Sequence, residues 1–68
     1  MNCPSNETIL AFMANGCSKH EASVLELMIR VVADFKNVDE QFYANKVSEM
    51  LSAGHGYDDC ASWIKDQL

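Results

Sequence analysis

The hydrophobic positions repeat most strongly between Ser18 and Lys36, in the stretch SKHEASVLELMIRVVADFK. Val24, Leu25, Met28, Val31, Val32 and Phe35 recur at the i, i+3, i+4, i+7 spacing of one helical face. Leu27, Ile29 and Ala33 widen that face beyond the stripe that an ordinary surface helix carries. Ser23, Glu26, Arg30 and Asp34 remain as a polar strip, also at helical spacing. The pattern predicts a helix over about residues 19–36, apolar round most of its circumference and therefore the central element of the fold.

Local signals mark the ends of this helix. Ser18 followed by Glu21 reads as a capping box, and Asn37 can close the helix in the left-handed region. Glu26 to Arg30 is a favourable i, i+4 ion pair, and Arg30 to Asp34 adds a weaker one.

Upstream, Pro4 keeps Cys3 out of helical geometry, so residues 1–5 read as frayed. Ser5 or Asn6 caps a short first helix with Glu7 in its first turn. Ile9, Leu10 and Met13 line one side of that helix with Phe12 on the flank, and Asn15-Gly16 ends it. Such a short helix is unstable alone and must lie against the central one.

Downstream, Asp39 caps a third helix that turns Tyr43, Val47, Met50 and Leu51 inward, carries Phe42 beside them and stops at Gly54. The loop before it is so short that the second and third helices must be antiparallel neighbours. After the turn Gly54-His55-Gly56, Asp58 is the expected cap of a last segment with Cys60, Trp63, Ile64 and Leu68 on one face. No alternating β-branched run interrupts the pattern, so strands are not expected.

The expected fold is all-α and a single helical domain over 1–68. Three main helices and a short C-terminal one pack round the central rod. FMANGCSKHEASVL and MLSAGHGYDDCASWI also echo each other, each with a glycine break, a polar turn and then Ala-Ser. Capped helical hairpins produce such an echo without any duplication.

Composition sharpens the picture. The chain of 68 residues opens on Met and is read as one complete product. A domain of that size buries only roughly 60% of the surface its unfolded chain exposes. The apolar fraction is nonetheless 49%, which argues against disorder and exceeds what one small core can hide. Pairing as a homodimer is the expected remedy.

The net charge is −5, and Lys19, Arg30, Lys36, Lys46 and Lys65 are scattered singly along the chain. Phosphate backbones call for clusters of basic side chains, so the balance argues against nucleic acid and towards a protein partner with a basic surface. The three cysteines, Cys3, Cys17 and Cys60, form no disulfide framework. With no secretory leader and no run long enough to span a membrane, a cytoplasmic setting is expected.

Two clusters invite chemistry. Cys17-x2-His20 and His55-x4-Cys60 each flank a turn, so a zinc-stapled binding module is one alternative reading. Buried small hydrophobes and a capped turn explain the same residues, and neither metal nor cofactor is assigned. A Cys–His nucleophile would need a third orienting group and a cleft that so small a chain has little volume to build. The chain is read as not an enzyme.

Gly16-Cys17-Ser18 also fits the turn of a helix-turn-helix DNA-binding regulator, the first alternative function. The following helix would then offer Lys19, His20, Ser23 and Glu26 to the groove, a poor set for base or phosphate contacts. Over Ile9–Ile29 the chain superficially resembles the ubiquitin-associated domain, whose first loop carries Met-Gly-Phe or Met-Gly-Tyr before a Ser-capped helix. Asn15-Gly16-Cys17-Ser18 lacks the aromatic that would touch the partner, and the second helix is too long, so that resemblance is set aside.

The reading preferred is a small acidic non-catalytic regulatory, adaptor or inhibitor protein, acting by protein–protein contacts as a homodimer. By analogy, bacteria and phages use short chains of this kind to modulate larger machines. Leu27, Ile29, Ala33, Phe42 and Trp63 are the candidate anchors, with Glu26 and Asp34 steering towards a basic target.

Overall fold

Ser18 begins the longest helix by satisfying two free backbone amides reciprocally. Its Oγ accepts from the Glu21 N–H at 3.1 Å, and Glu21 Oε1 accepts from the Ser18 N–H at 3.1 Å. At the other end Asn37 is left-handed, with φ 60° and ψ 45°. The Val38 N–H then reaches back to the Ala33 carbonyl at 2.9 Å, which closes the last turn.

A computed structural model describes residues 6–68 in this way, as α1 (Asn6–Ala14), α2 (Lys19–Lys36), α3 (Glu40–Ser52) and α4 (Tyr57–Asp66). The fraying expected of residues 1–5, and the Ser5 cap, lie outside the described residues. No strand occurs among the described residues, and the fold is an all-α globule of four helices. None of these helices is long and apolar enough to cross a membrane.

The two echoing turns share their backbone chemistry. Gly16 and Gly54 take φ of 111° and 100°, values at which a side chain would be strained. Beyond each glycine the next amide bonds back five residues, Cys17 N–H to Phe12 O at 3.1 Å and His55 N–H to Met50 O at 3.0 Å. Ser52 Oγ ties the turns together by donating to Asn15 Oδ1 at 3.0 Å.

Asp39 caps α3 as expected, accepting from the Gln41 N–H at 3.0 Å. For α4 the expectation is corrected. Gly56, not Asp58, is its N-cap, and no side chain bonds the free amides. Asp58 and Asp59 occupy the first turn instead, where the partial positive charge of the helix end favours carboxylates.

The core gathers Phe12 from α1, Leu25, Ile29 and Val32 from α2, Tyr43 and Val47 from α3, and Cys60 and Ile64 from α4. α2 touches all three other helices, but so does α3, and only α1 and α4 do not meet. α2, the longest of the four, is the helix against which the others pack most, with α3 beside it. The molecule measures 28 × 26 × 17 Å, so along its short axis it is about two helices thick. In so thin a slab α2 has neighbours on one side and solvent on the other.

In α1, Phe12 is fully buried and Ile9 packs half-buried against the core, whereas Leu10 and Met13 are exposed, so only Ile9 of the expected face turns inward. In so short a helix the largest side chain, the aromatic, takes the centre of the inward side, with Ile9 at its edge.

Candidate protein-binding face

α2 buries one side and leaves the opposite side apolar and bare. Ala22, Leu25, Ile29, Val32 and Ala33 face the core. Two residues beyond Leu25, Ile29 and Ala33 stand Leu27, Val31 and Phe35, and a step of two crosses to the far side of a helix with 3.6 residues per turn. These three are exposed by 52%, 57% and 72%.

The expected inward face is therefore corrected by about a quarter turn, with Leu25 and Val32 common to both. Val31 and Phe35 point out, and Ile29 and Ala33, expected as surface anchors, lie in the core. Small residues explain the choice, since Ala22 and Ala33 on α2 and Ala44 on α3 let helices approach closely. A reading that weights bulk alone puts the packed side where the large residues are.

Along one margin of this face runs a groove of about 230 Å³ between α2 and α4. Leu27, Met28, Val31 and Val32 form one wall, and Ile64, Lys65 and Leu68 the other. Leu68 is itself 65% exposed. Apart from Lys65 the groove is apolar, so water in it gains little and an apolar side chain entering it gains burial.

Along the other margin runs the polar strip. Arg30 Nε donates to Glu26 Oε2 at 3.1 Å and Arg30 Nη2 to Glu26 Oε1 at 3.3 Å. Glu26 is buried and cannot steer a partner from solvent, contrary to expectation. The guanidinium supplies a countercharge to that buried carboxylate, and Arg30 turns back to Glu26 and not forward to Asp34. Asp34 is exposed, with its carboxylate in no ion pair among the described residues. Beside it lies a wider polar cleft of about 570 Å³ where α2 meets the start of α3.

The remaining anchor residues are spread over other helices. Phe42 on α3 is 61% exposed and rests edge-on against Tyr43, with ring centroids 5.3 Å apart. Trp63 on α4 is half-buried on the other side of Tyr43, with centroids 5.8 Å apart. Among the candidate anchors only Leu27 belongs to the bare face of α2. Val31, Phe35 and Leu68, expected on inward faces, are exposed instead, and for Val31 and Phe35 no sequence signal separates the two sides of an apolar helix.

The two thiols share the core, but the histidines do not join them. Cys17 and Cys60 are buried in the core, His20 is exposed, and His55 Nδ1 lies 3.4 Å from Asp59 Oδ2 at the surface. No group of three or more His, Cys, Asp or Glu side chains gathers as metal ligands among the described residues. Burial pushes both thiols above their ordinary pKa, aided by Glu21 at Cys17 and by Cys17 and then Asp59 at Cys60. A thiol held protonated is a poor nucleophile and a poor metal ligand.

The turn before α2 has the geometry of a helical hairpin, but the exposed side of α2 is aliphatic and aromatic along most of its length. Lys19 and His20 are exposed at its first turn, whereas Glu26 is withdrawn. No family model, curated protein or solved structure matches the chain.

Proposed function

We propose that this chain is a non-catalytic protein-binding module, a small acidic regulatory, adaptor or inhibitor protein that acts in the cytoplasm as a homodimer. The observation that carries the reading is the bare side of α2, where Leu27, Val31 and Phe35 stand in line beside an apolar groove. Small monomers rarely leave a contiguous apolar strip to water unless it meets another protein. Side chains of this kind, set at helical spacing on a rigid helix, are the anchors of helix-mediated interfaces.

Mechanistically, the strip supplies binding energy, and the net charge of −5, with Asp34 at the margin, favours basic partner surfaces. Binding then works by covering a partner's surface or by bridging two partners. The helix-turn-helix alternative gains nothing from this arrangement, because a recognition helix presents basic or amide side chains where α2 presents Val31 and Phe35.

The test compares the full chain with Leu27→Glu and Phe35→Glu variants in sedimentation and in cross-linked capture from host extract. Wild type should self-associate and retain a defined protein, and the variants should do neither while their helical circular dichroism stays unchanged. Identical behaviour of wild type and variants would remove the reading.

A further inference from the structure

We infer that the occupant of the bare α2 face is a second copy of this chain, packed α2 against α2 in antiparallel sense with a two-fold axis at Val31. The inference rests on the protein-contact reading above and names the partner at that same face.

The spacing of the strip is its own mirror under reversal. Val31 lies midway between Leu27 and Phe35, one helical turn from each. Turning a second α2 end for end about Val31 places Leu27 of each copy across from Phe35 of the other. Val31 then meets Val31 at the axis. A compact aliphatic pair at the axis between two larger mixed pairs is what an isologous helix seam needs, since each side chain must fit the complement of its own pattern.

Charge supports the same register. In an antiparallel pair about such an axis, each flank of one helix meets the same flank of the other. Arg30 and Asp34 share one flank, so each Arg30 lies within about 3 Å along the seam of the second copy's Asp34, one such pair on either side of the axis. Two groups of the Arg30 fork are engaged by Glu26, which leaves its other N–H groups to donate, and the Asp34 carboxylate is exposed. A parallel pairing would instead set this flank against the Met28 side and leave both charges without a counterpart. On the opposite flank the two α2–α4 grooves come together, and each Leu68 closes one end.

Site-directed cross-linking of the full chain in a Cys3→Ser background reads the register directly. Val31→Cys should form a chain-to-chain disulfide under mild oxidation, because only a residue on the axis lies near its own copy. Leu27→Cys alone should not, whereas Leu27→Cys mixed with Phe35→Cys should.

In sedimentation equilibrium, Val31→Glu should raise the dimer dissociation constant by roughly 100-fold or more, since it sets two carboxylates face to face. Asp34→Lys, an exposed change that leaves the core alone, should raise it about tenfold by facing Arg30. A chain monomeric at all accessible concentrations, or one that cross-links through Leu27→Cys alone and not Val31→Cys, overturns the inference. If that monomer still captures another protein, and Leu27→Glu abolishes the capture, the protein-binding reading stands and only the self-pairing falls. If it captures nothing through this face, both fall.

Discussion

Arg30 grips the buried carboxylate of Glu26 with two nitrogens, at 3.1 and 3.3 Å, one helical turn away. The two partners are unequally placed, with side chains 31% and 3% exposed. Removing the buried member leaves a guanidinium that water can reach, whereas removing the exposed member takes a countercharge from a buried carboxylate. Arg30→Ala should therefore cost about 2 kcal/mol, reduced from the usual figure for a broken buried pair by partial screening. Glu26→Met should cost clearly less. Urea denaturation of the two variants checks the order, and equal losses would contradict it.

Phe12 and Leu10 make opposite predictions from neighbouring positions. Phe12→Ala empties the contact that holds α1 to the core and should cost about 3–5 kcal/mol, enough to unfold so small a domain. Leu10→Ala, on the exposed side, should stay within about 0.5 kcal/mol of wild type. Thermal unfolding followed by circular dichroism separates them.

Helix ends supply a third test. Ser18→Ala removes one half of the reciprocal cap and should cost about 1 kcal/mol. Asn37→Gly should be neutral or slightly stabilising, because glycine accepts φ 60° without a steric penalty. Asn37→Val should cost at least about 1 kcal/mol at the same place. If the valine is tolerated, the left-handed closure of α2 does not form in solution.

The thiols give a pH dependence of known sign. Cys17 and Cys60 have pKa values raised above 9.0, first by burial. The folded chain therefore holds these protons more tightly than the unfolded one. Their contribution is fully present below the unfolded thiol pKa and is lost as pH rises through the folded value. Stability should fall above about pH 9, and Cys60→Ala should flatten that decline. Native protein should likewise react with a thiol reagent at Cys17 and Cys60 no faster than it opens.

Much of the fold was legible because it is written locally. Ser18 with Glu21, Asn37, Asp39 and the two turn glycines act through backbone groups within a few residues of themselves. Their effect needs no knowledge of what packs where. The side of α2 that faces inward was not legible in the same way, because both of its sides are apolar and periodicity cannot rank them. What decides is fit to the other three helices, with Ala22, Ala33 and Ala44 buried where they meet, and that is tertiary information.

Glu26 was hidden for a related reason. A charged residue in a polar strip reads as solvated unless its countercharge is known to follow it inward. The candidate site divides along the same line. Leu27 could be found as an excess apolar residue, but Val31 and Phe35 could be told from core only after the packed side was known.

The sequence holds one tryptophan, and its position gives the slab a built-in gauge. Trp63 leans on Tyr43 while its chain neighbours Ile64 and Lys65 line the open groove. Whatever settles along α2 presses on the wall from which that indole hangs. Its emission should shift as the groove fills, so occupancy can be followed by fluorescence on unlabelled protein.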